Sequence, residues 1–248
     1  MTPATDRPFE TIDCPVCDGA SFEPLFEKKG EPFVRCRACG LVLINPRPVF
    51  GVVAETYDAA YSDGYIRKAA KKRARCQRWV RRMQRRHQAS GRWLDVGCSA
   101  GFVVEAAAKA GFEAHGVELE AAAVDFGRRT LGLANLACGT LEAQAYPAAH
   151  FDVISMYDVI EHVPDLNATV GELKRILRPQ GVIEIRTPDV GHWTTPRALD
   201  TWPEIKPSEH LYYFDRSTLP RLFARHGLRV RERRFMFKSA LDLVFEHA

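Results

Sequence analysis

From Arg92 onward, short apolar runs alternate with amphipathic stretches. The runs Arg92–Val96, Glu113–Glu118, Leu133–Ala137, Phe151–Met156, Val182–Arg186 and Leu228–Phe237 predict six strands. Between them, Phe102–Ala110, Ala121–Leu131, Leu166–Leu177 and Ser217–His226 predict helices. In the third of these, Val170, Leu173, Ile176 and Leu177 fall on one face. Gly111 and Gly132 stop the first two helices. Leu241–Phe245 fits either a seventh strand or a short helix. Strand–helix alternation implies a mostly parallel sheet covered on both faces, and right-handed crossovers make it a doubly wound α/β fold.

Upstream, Ile66, Ala70, Cys76, Trp79, Val80 and Met83 recur at three- to four-residue steps and predict one amphipathic helix, closed by Ser90-Gly91. Asn45-Pro46-Arg47-Pro48 marks a boundary before it. The chain therefore divides into an N-terminal module at 1–44, a linker and helix at 45–90, and an α/β domain at 91–248.

Cysteine spacing gives the N-terminal module its chemistry. Cys14-Pro-Val-Cys17 and Cys36-Arg-Ala-Cys39 are two CxxC pairs with 18 residues between them. Each pair forms a tight knuckle that aims two thiolates at one point, and two knuckles make the four-sulfur site that Zn²⁺ takes. Four thiolates fill the coordination shell, so the predicted zinc is structural. A redox CxxC is the weaker alternative. Cys76, Cys98 and Cys138 are single and read as small packed residues.

Composition then narrows the class. Of 248 residues, 46% are hydrophobic, which excludes a disordered tail. No run of about 18 apolar residues is present, so no membrane-spanning helix is expected. Met1 to Asp13 lacks the apolar core of a signal peptide, so a reducing, cytoplasmic location is expected. The net charge of +4 conceals an asymmetry: between Ile66 and Arg92 there are 12 Lys or Arg and no acid. Such a stretch is either a solvated helix face or a surface for phosphates and carboxylates.

Ligands of doubly wound sheets bind beyond the carboxyl ends of the strands. The first strand ends in Leu94-Asp95-Val96-Gly97-Cys98-Ser99-Ala100-Gly101, whose small residues let the backbone approach a ligand at a helix N-terminus. A dinucleotide fingerprint would need glycine where Ser99 and Phe102 stand, and no GK[ST] follows, so neither NAD nor a P-loop is indicated. The second strand ends in Glu118, placed to accept both ribose hydroxyls of a nucleoside. Asp95 suits an amino group or a loop-holding hydrogen bond.

These residues resemble the class I S-adenosylmethionine-dependent methyltransferases, from about Trp93 to Val230. The resemblance is carried by residues 94–101, Gly116-Val117-Glu118, Phe151 to Asp165 and Leu177-Arg178-Pro179-Gln180-Gly181. It implies a Rossmann-like sheet and a donor site built from Asp95, Gly97, Cys98, Ser99, Gly101, Glu118, Leu119, Thr140, Leu141, Tyr157 and Asp158. Gly97, Ser99 and Gly101 would line the methionine part, Glu118 the ribose, and Tyr157 and Asp158 the sulfonium. Ser99 departs from the glycine more usual there. The CxxC module, Asn45 to Pro48, and Glu209-His210-Leu211-Tyr212-Tyr213-Phe214 resemble a bacterial subgroup that modifies small molecules, sugars or surface polysaccharides.

The expected activity is methyl transfer to a hydroxyl of a small molecule, which needs a base for the hydroxyl proton. His162 and His210 are both candidates. Asp158 with Glu161 and His162 forms a candidate divalent-metal set. The ring-rich stretch with His192, Trp193, Trp202, Pro203, Tyr212 and Tyr213 reads as a lid or acceptor pocket, with Tyr57, Tyr61 and Arg67 closing the other side. Two alternatives remain: an RNA methyltransferase that uses the zinc module and basic helix, and a donor-binding scaffold without turnover. Against RNA, Tyr157-Asp158-Val159-Ile160 is not a base-methylating motif, and the module has few exposed aromatics for base stacking.

Overall fold

The computed structural model describes residues 8–49 and 69–248. Tyr57, Tyr61, Ile66 and Arg67 lie outside the described residues. The N-terminal module contains β1 (Phe9–Glu10), β2 (Phe22–Lys28), β3 (Glu31–Cys36), β4 (Val42–Ile44) and β5 (Arg47–Pro48). Helix α1 (Ala69–His87) leads into β6 (Arg92–Val96), α2 (Phe102–Lys109), β7 (Glu113–Glu118), α3 (Ala121–Leu131) and β8 (Leu136–Cys138). Then follow β9 (Phe151–Tyr157), α4 (Leu166–Ile176), β10 (Leu177–Pro188), β11 (Tyr212–Tyr213), α5 (Thr218–Arg225), β12 (Leu228–Arg233) and β13 (Ala240–His247).

The main sheet has the order β12-β13-β10-β9-β6-β7-β8. Strands β10, β9, β6, β7 and β8 run parallel, and β13 is antiparallel to both of its neighbours. The α/β, mostly parallel expectation holds, and Leu241–Phe245 is part of a strand. That strand lies between β10 and β12, and Leu241, Leu243, Val244 and Phe245 are buried.

Several boundaries move for local reasons. The third α/β strand begins at Leu136 because Leu133 still donates to Gly127 at the end of α3. Strand β12 ends at Arg233 because the Arg234 side chain turns inward to the buried carboxylates of Glu184 and Asp242. Phe235 and Phe237 therefore stand in the connecting turn, 64% and 81% exposed.

Helix α1 packs Cys76, Val80 and Met83 inward, as its periodicity predicts. Its arginines are not all solvated. Arg73 pairs with Glu105 at 2.8 Å, Arg82 with Glu184 at 3.1 Å, and Arg86 with Glu232. Part of the concentrated positive charge is thus neutralised within the protein.

The module is not a separate body. Its Cys14, Val16, Val34, Cys36, Leu41 and Leu43 share a core with β9, β10 and α5. Strand β11, from the segment after β10, pairs antiparallel with β4 and completes a four-stranded sheet, β11-β4-β3-β2. Among the described residues, no helix is long and apolar enough to cross a membrane.

Candidate active site

The loop after β6 is shaped by backbone conformations that favour glycine. Gly97 has φ 69° and Gly101 φ 84°, with Ser99 between them at φ 48°. A Cβ on Gly97 would come within 2.3 Å of Val159 Cγ2, so the loop after β9 closes directly on the loop after β6. The amides of Gly97 and Cys98 both donate to the Val117 carbonyl, at 2.9 and 3.1 Å. Cys98 contributes backbone here, since its thiol is buried and packs where a Cβ on Gly116 would stand.

Glu118 ends β7 in this cleft. One carboxylate oxygen accepts from the Ser99 amide at 2.8 Å, and the other from the Leu119 and Glu120 amides at 2.7 and 3.0 Å. Three backbone donors thus fix the orientation of the Glu118 carboxyl group at the strand end. Leu119 beside it is 43% exposed. Leu141 is buried, and the Thr140 hydroxyl accepts from the Ala143 amide at 3.3 Å. A carboxylate at a strand end beside a backbone loop without bulky side chains suits the ribose and amino-acid parts of S-adenosylmethionine.

Two of the expected donor residues have side-chain partners within the protein. Asp95 is buried, and its Oδ1 accepts from Ser155 Oγ at 2.5 Å. Burial pushes its carboxyl up to about 7, against the opposing pull of Ser155. The Tyr157 hydroxyl donates to Glu184 at 2.6 Å and belongs to a buried charge network with Arg82, Arg186, Arg234 and Asp242. Asp158, at φ 56°, is exposed at the end of β9.

The loop after β9 also carries Glu161 and His162, and the segment before β11 brings His210 to them. The His162 and His210 rings meet edge to face, with centroids 4.6 Å apart. One ligand atom from each of Glu161, His162 and His210 lies within 4.8 Å of the others. The metal set considered from sequence therefore gains His210, and Asp158 is not part of this cluster. One carboxylate and two imidazoles make a donor set able to hold a divalent cation. Glu161 accepts from Thr187 Oγ1 at 2.9 Å, while its Oε1 and the Nδ1 of His210 are buried without a partner among the described residues. Burial, reinforced by the nearby Asp158 charge, pushes the Glu161 carboxyl up to about 8. Burial pushes His162 down to about 4 and His210 to about 2.

His162 Nδ1 lies 2.7 Å from the Glu209 carbonyl oxygen. A carbonyl only accepts, so Nδ1 carries the proton and Nε2 is the basic nitrogen. His210 is 2% exposed and packs edge to face against this ring. Of the ring-rich stretch, His192, Trp202, Tyr212 and Tyr213 are buried, whereas Trp193 is 73% exposed.

The four cysteines of the module converge as their spacing predicts. Cys14 Sγ lies 3.5 Å from Cys39 Sγ, and Cys17 Sγ 3.5 Å from Cys36 Sγ, with all four sulfurs within 4.8 Å of one another. None is in a disulfide. A tetrahedral Zn²⁺ with bonds of about 2.3 Å places its sulfurs ~3.8 Å apart, which this arrangement accommodates.

Sequence reasoning missed the approach of His210 to Glu161 and the charge network around Tyr157. The repeated dipeptide Glu161-His162 and Glu209-His210 was the available signal for the first.

With this geometry, the comparisons define the class. A family described as "Methyltransferase domain" matches residues 67–233, more than half of the chain. The chain belongs to this family and carries a class I S-adenosylmethionine-dependent methyltransferase domain. It is 35% identical over 103 residues to a ubiquinone biosynthesis O-methyltransferase of Actinobacillus pleuropneumoniae, covering 38% of this chain and 44% of that protein. It is 27% identical over 191 residues to the Bradyrhizobium diazoefficiens protein of the same name, covering 75% and 66%. The chain spans about half the length of the first of these curated relatives. Among solved structures, the PH0226 protein of Pyrococcus horikoshii has a TM-score of 0.60 at 17% identity, covering 71% of this chain and 91% of that one. An S-adenosylmethionine-dependent methyltransferase of Clostridium acetobutylicum has a TM-score of 0.59 at 11% identity, covering 77% and 100%. These structural likenesses establish the fold.

Two predictions follow from this geometry. Glu118→Ala should weaken S-adenosylmethionine binding about ten- to a hundredfold, the loss expected of an acceptor for the ribose hydroxyls; unchanged calorimetric affinity excludes that role. Asp95→Asn should alter the pH dependence of stability. The unfolded chain ionises Asp95 near pH 4, while the fold keeps it protonated to about 7, so rising pH across that window favours unfolding of the parent protein. The melting temperature of Asp95→Asn relative to the parent should rise between pH 4 and 7 and level off above, as read by calorimetry in a pH series.

Proposed function

We propose that this protein transfers the methyl group of S-adenosylmethionine to a hydroxyl of a small molecule, in the class of sugars, polysaccharide precursors or natural products, and that its four cysteines hold a structural zinc. The observation that carries the reading is the His162 tautomer. The Glu209 carbonyl fixes the ring and makes Nε2 a neutral base in the loop that closes on Gly97. The names of the ubiquinone O-methyltransferase relatives support oxygen as the accepting atom and a small-molecule acceptor.

S-adenosylmethionine, when bound, supplies a methyl group already activated on a sulfonium. Gly97, Ser99 and Gly101 admit its amino-acid part, and Glu118 holds the ribose. The protein's task is then alignment, because displacement needs oxygen, methyl carbon and sulfur in line. His162 Nε2 would take the proton of the acceptor hydroxyl, and the bound donor would supply the methyl group. His210 supports the ring by its edge-to-face contact. Burial keeps both rings neutral at ordinary pH and disfavours their protonated forms, so His162 can act only as a weak base held close to the hydroxyl.

His162→Ala should lower turnover ~10²–10⁴-fold while S-adenosylmethionine affinity stays within about twofold by calorimetry. The acceptor class is tested with methyl-labelled donor and a lysate divided into RNA, glycan and low-molecular-weight fractions. Label in the small-molecule or glycan fraction supports the reading, and nuclease-sensitive label in RNA overturns it. Metal analysis should find one zinc per chain, and chelation should lower the melting temperature; protein purified without zinc and indifferent to chelators contradicts the structural site.

A further inference from the structure

We infer that the cysteine-bearing module forms one wall of the acceptor site and that its Glu31 is a positioning residue for the His162–His210 pair. The inference rests on the methyl-transfer reading above and gives the module a role beyond holding a metal.

The connection is continuous in the backbone. Strand β11 pairs with β4, Tyr212 opposite Leu43 and Tyr213 opposite Val42. Immediately before it, the Leu211 carbonyl accepts from the Ile44 amide at 3.1 Å, and the Leu211 amide donates to the Glu161 carbonyl at 2.8 Å. One residue thus bridges the module and the loop that carries Glu161 and His162, and its neighbour is His210. Phe33, Val42 and Ile44 of the module form a common apolar cluster with Trp202, Ile205 and Tyr213.

Glu31 fixes the other end of this segment. It lies at the start of β3 and is 5% exposed. Its carboxylate accepts from the Ser208 amide at 2.7 Å and from the Ser208 hydroxyl. Ser208 has φ 64°, a left-handed conformation that costs a non-glycine residue free energy and needs its surroundings to hold it. The next carbonyl, that of Glu209, is the one that accepts from His162 Nδ1. Glu31 therefore acts through Ser208 on the group that sets the His162 tautomer. The donor cleft is organised separately, by Val117, Glu118 and Val159, with no module residue in those contacts. Loosening the module contact should impair the acceptor side and spare the donor side.

The test uses the full chain with Glu31→Ala, Glu31→Gln and Ser208→Gly. Three quantities are read: calorimetric affinity for S-adenosylmethionine, transfer of labelled methyl to the small-molecule fraction that the parent protein labels, and hydrogen exchange of the His210 and Leu211 amides. Glu31→Ala should exchange faster at both amides and lose at least about tenfold in transfer, with donor affinity within about twofold of the parent. Glu31→Gln keeps an acceptor for the Ser208 amide and should restore most of the transfer. Ser208→Gly suits the φ angle and removes only the hydroxyl contact; it should show an intermediate loss and carries the test if Glu31→Ala does not fold. Full transfer in Ser208→Gly and Glu31→Ala overturns the inference, as does unchanged exchange or a parallel loss of donor affinity. A parent protein that labels no small-molecule fraction overturns the function reading, and this one with it.

Discussion

A parallel sheet buried on both faces leaves the ends of its strands as the places where polar groups can gather at little cost. In this protein the pairing of β9, β6 and β7 brings three such ends together: the glycine-bearing loop, Glu118, and the loop with Glu161 and His162. Everything chemical in the domain depends on that juxtaposition. The Val159 side chain fills the space where Gly97 lacks a Cβ, so the loops after β6 and β9 are in contact.

Hydrogen bonding then extends the site into a region far away in sequence. Leu211 gives its amide to Glu161 and its carbonyl to Ile44, so the residues around His210 are held between the loop after β9 and the cysteine module. The Asn167 side chain donates to the Pro15 carbonyl at 3.1 Å, and Arg225 pairs with Asp18 at 2.8 Å, which seats the same module on α4 and α5. The Cys36–Cys39 knuckle joins β3 to β4, and β4 in turn pairs with β11.

Local patterns made most of the sheet legible. Glu113–Glu118 and Ala121–Leu131 have in the structure the bounds their periodicity predicts, because each is a short-range regularity closed by a turn or a glycine. The glycine-bearing loop after β6 and the convergence of the four cysteines were readable for the same reason: their residues are contiguous or regularly spaced. What escaped reading is non-local. Nothing near Tyr212 and Tyr213 announces that they pair with β4, and 47 positions separate His162 from the Glu209 carbonyl that orients it. Trp193 illustrates the converse: it belongs to a ring-rich stretch but points to solvent, while Trp202 of the same stretch packs against the module.

The interior place of β13 has a consequence for how the chain acquires its shape. Residues 240–247 are made after both of the strands that flank them, yet they occupy a seat inside the sheet. During vectorial synthesis β10 emerges with an unpaired edge, and that edge bears Ile183 and Ile185, both fully buried in the finished protein. Strand β12 arrives next and can find its correct place only if the gap is kept for β13. The nascent domain therefore passes through an interval in which an apolar edge is open to other chains. Asp242 ends this interval: on entering, it meets Arg186 and Arg234, so the closing strand is specified by charge as well as by hydrophobicity.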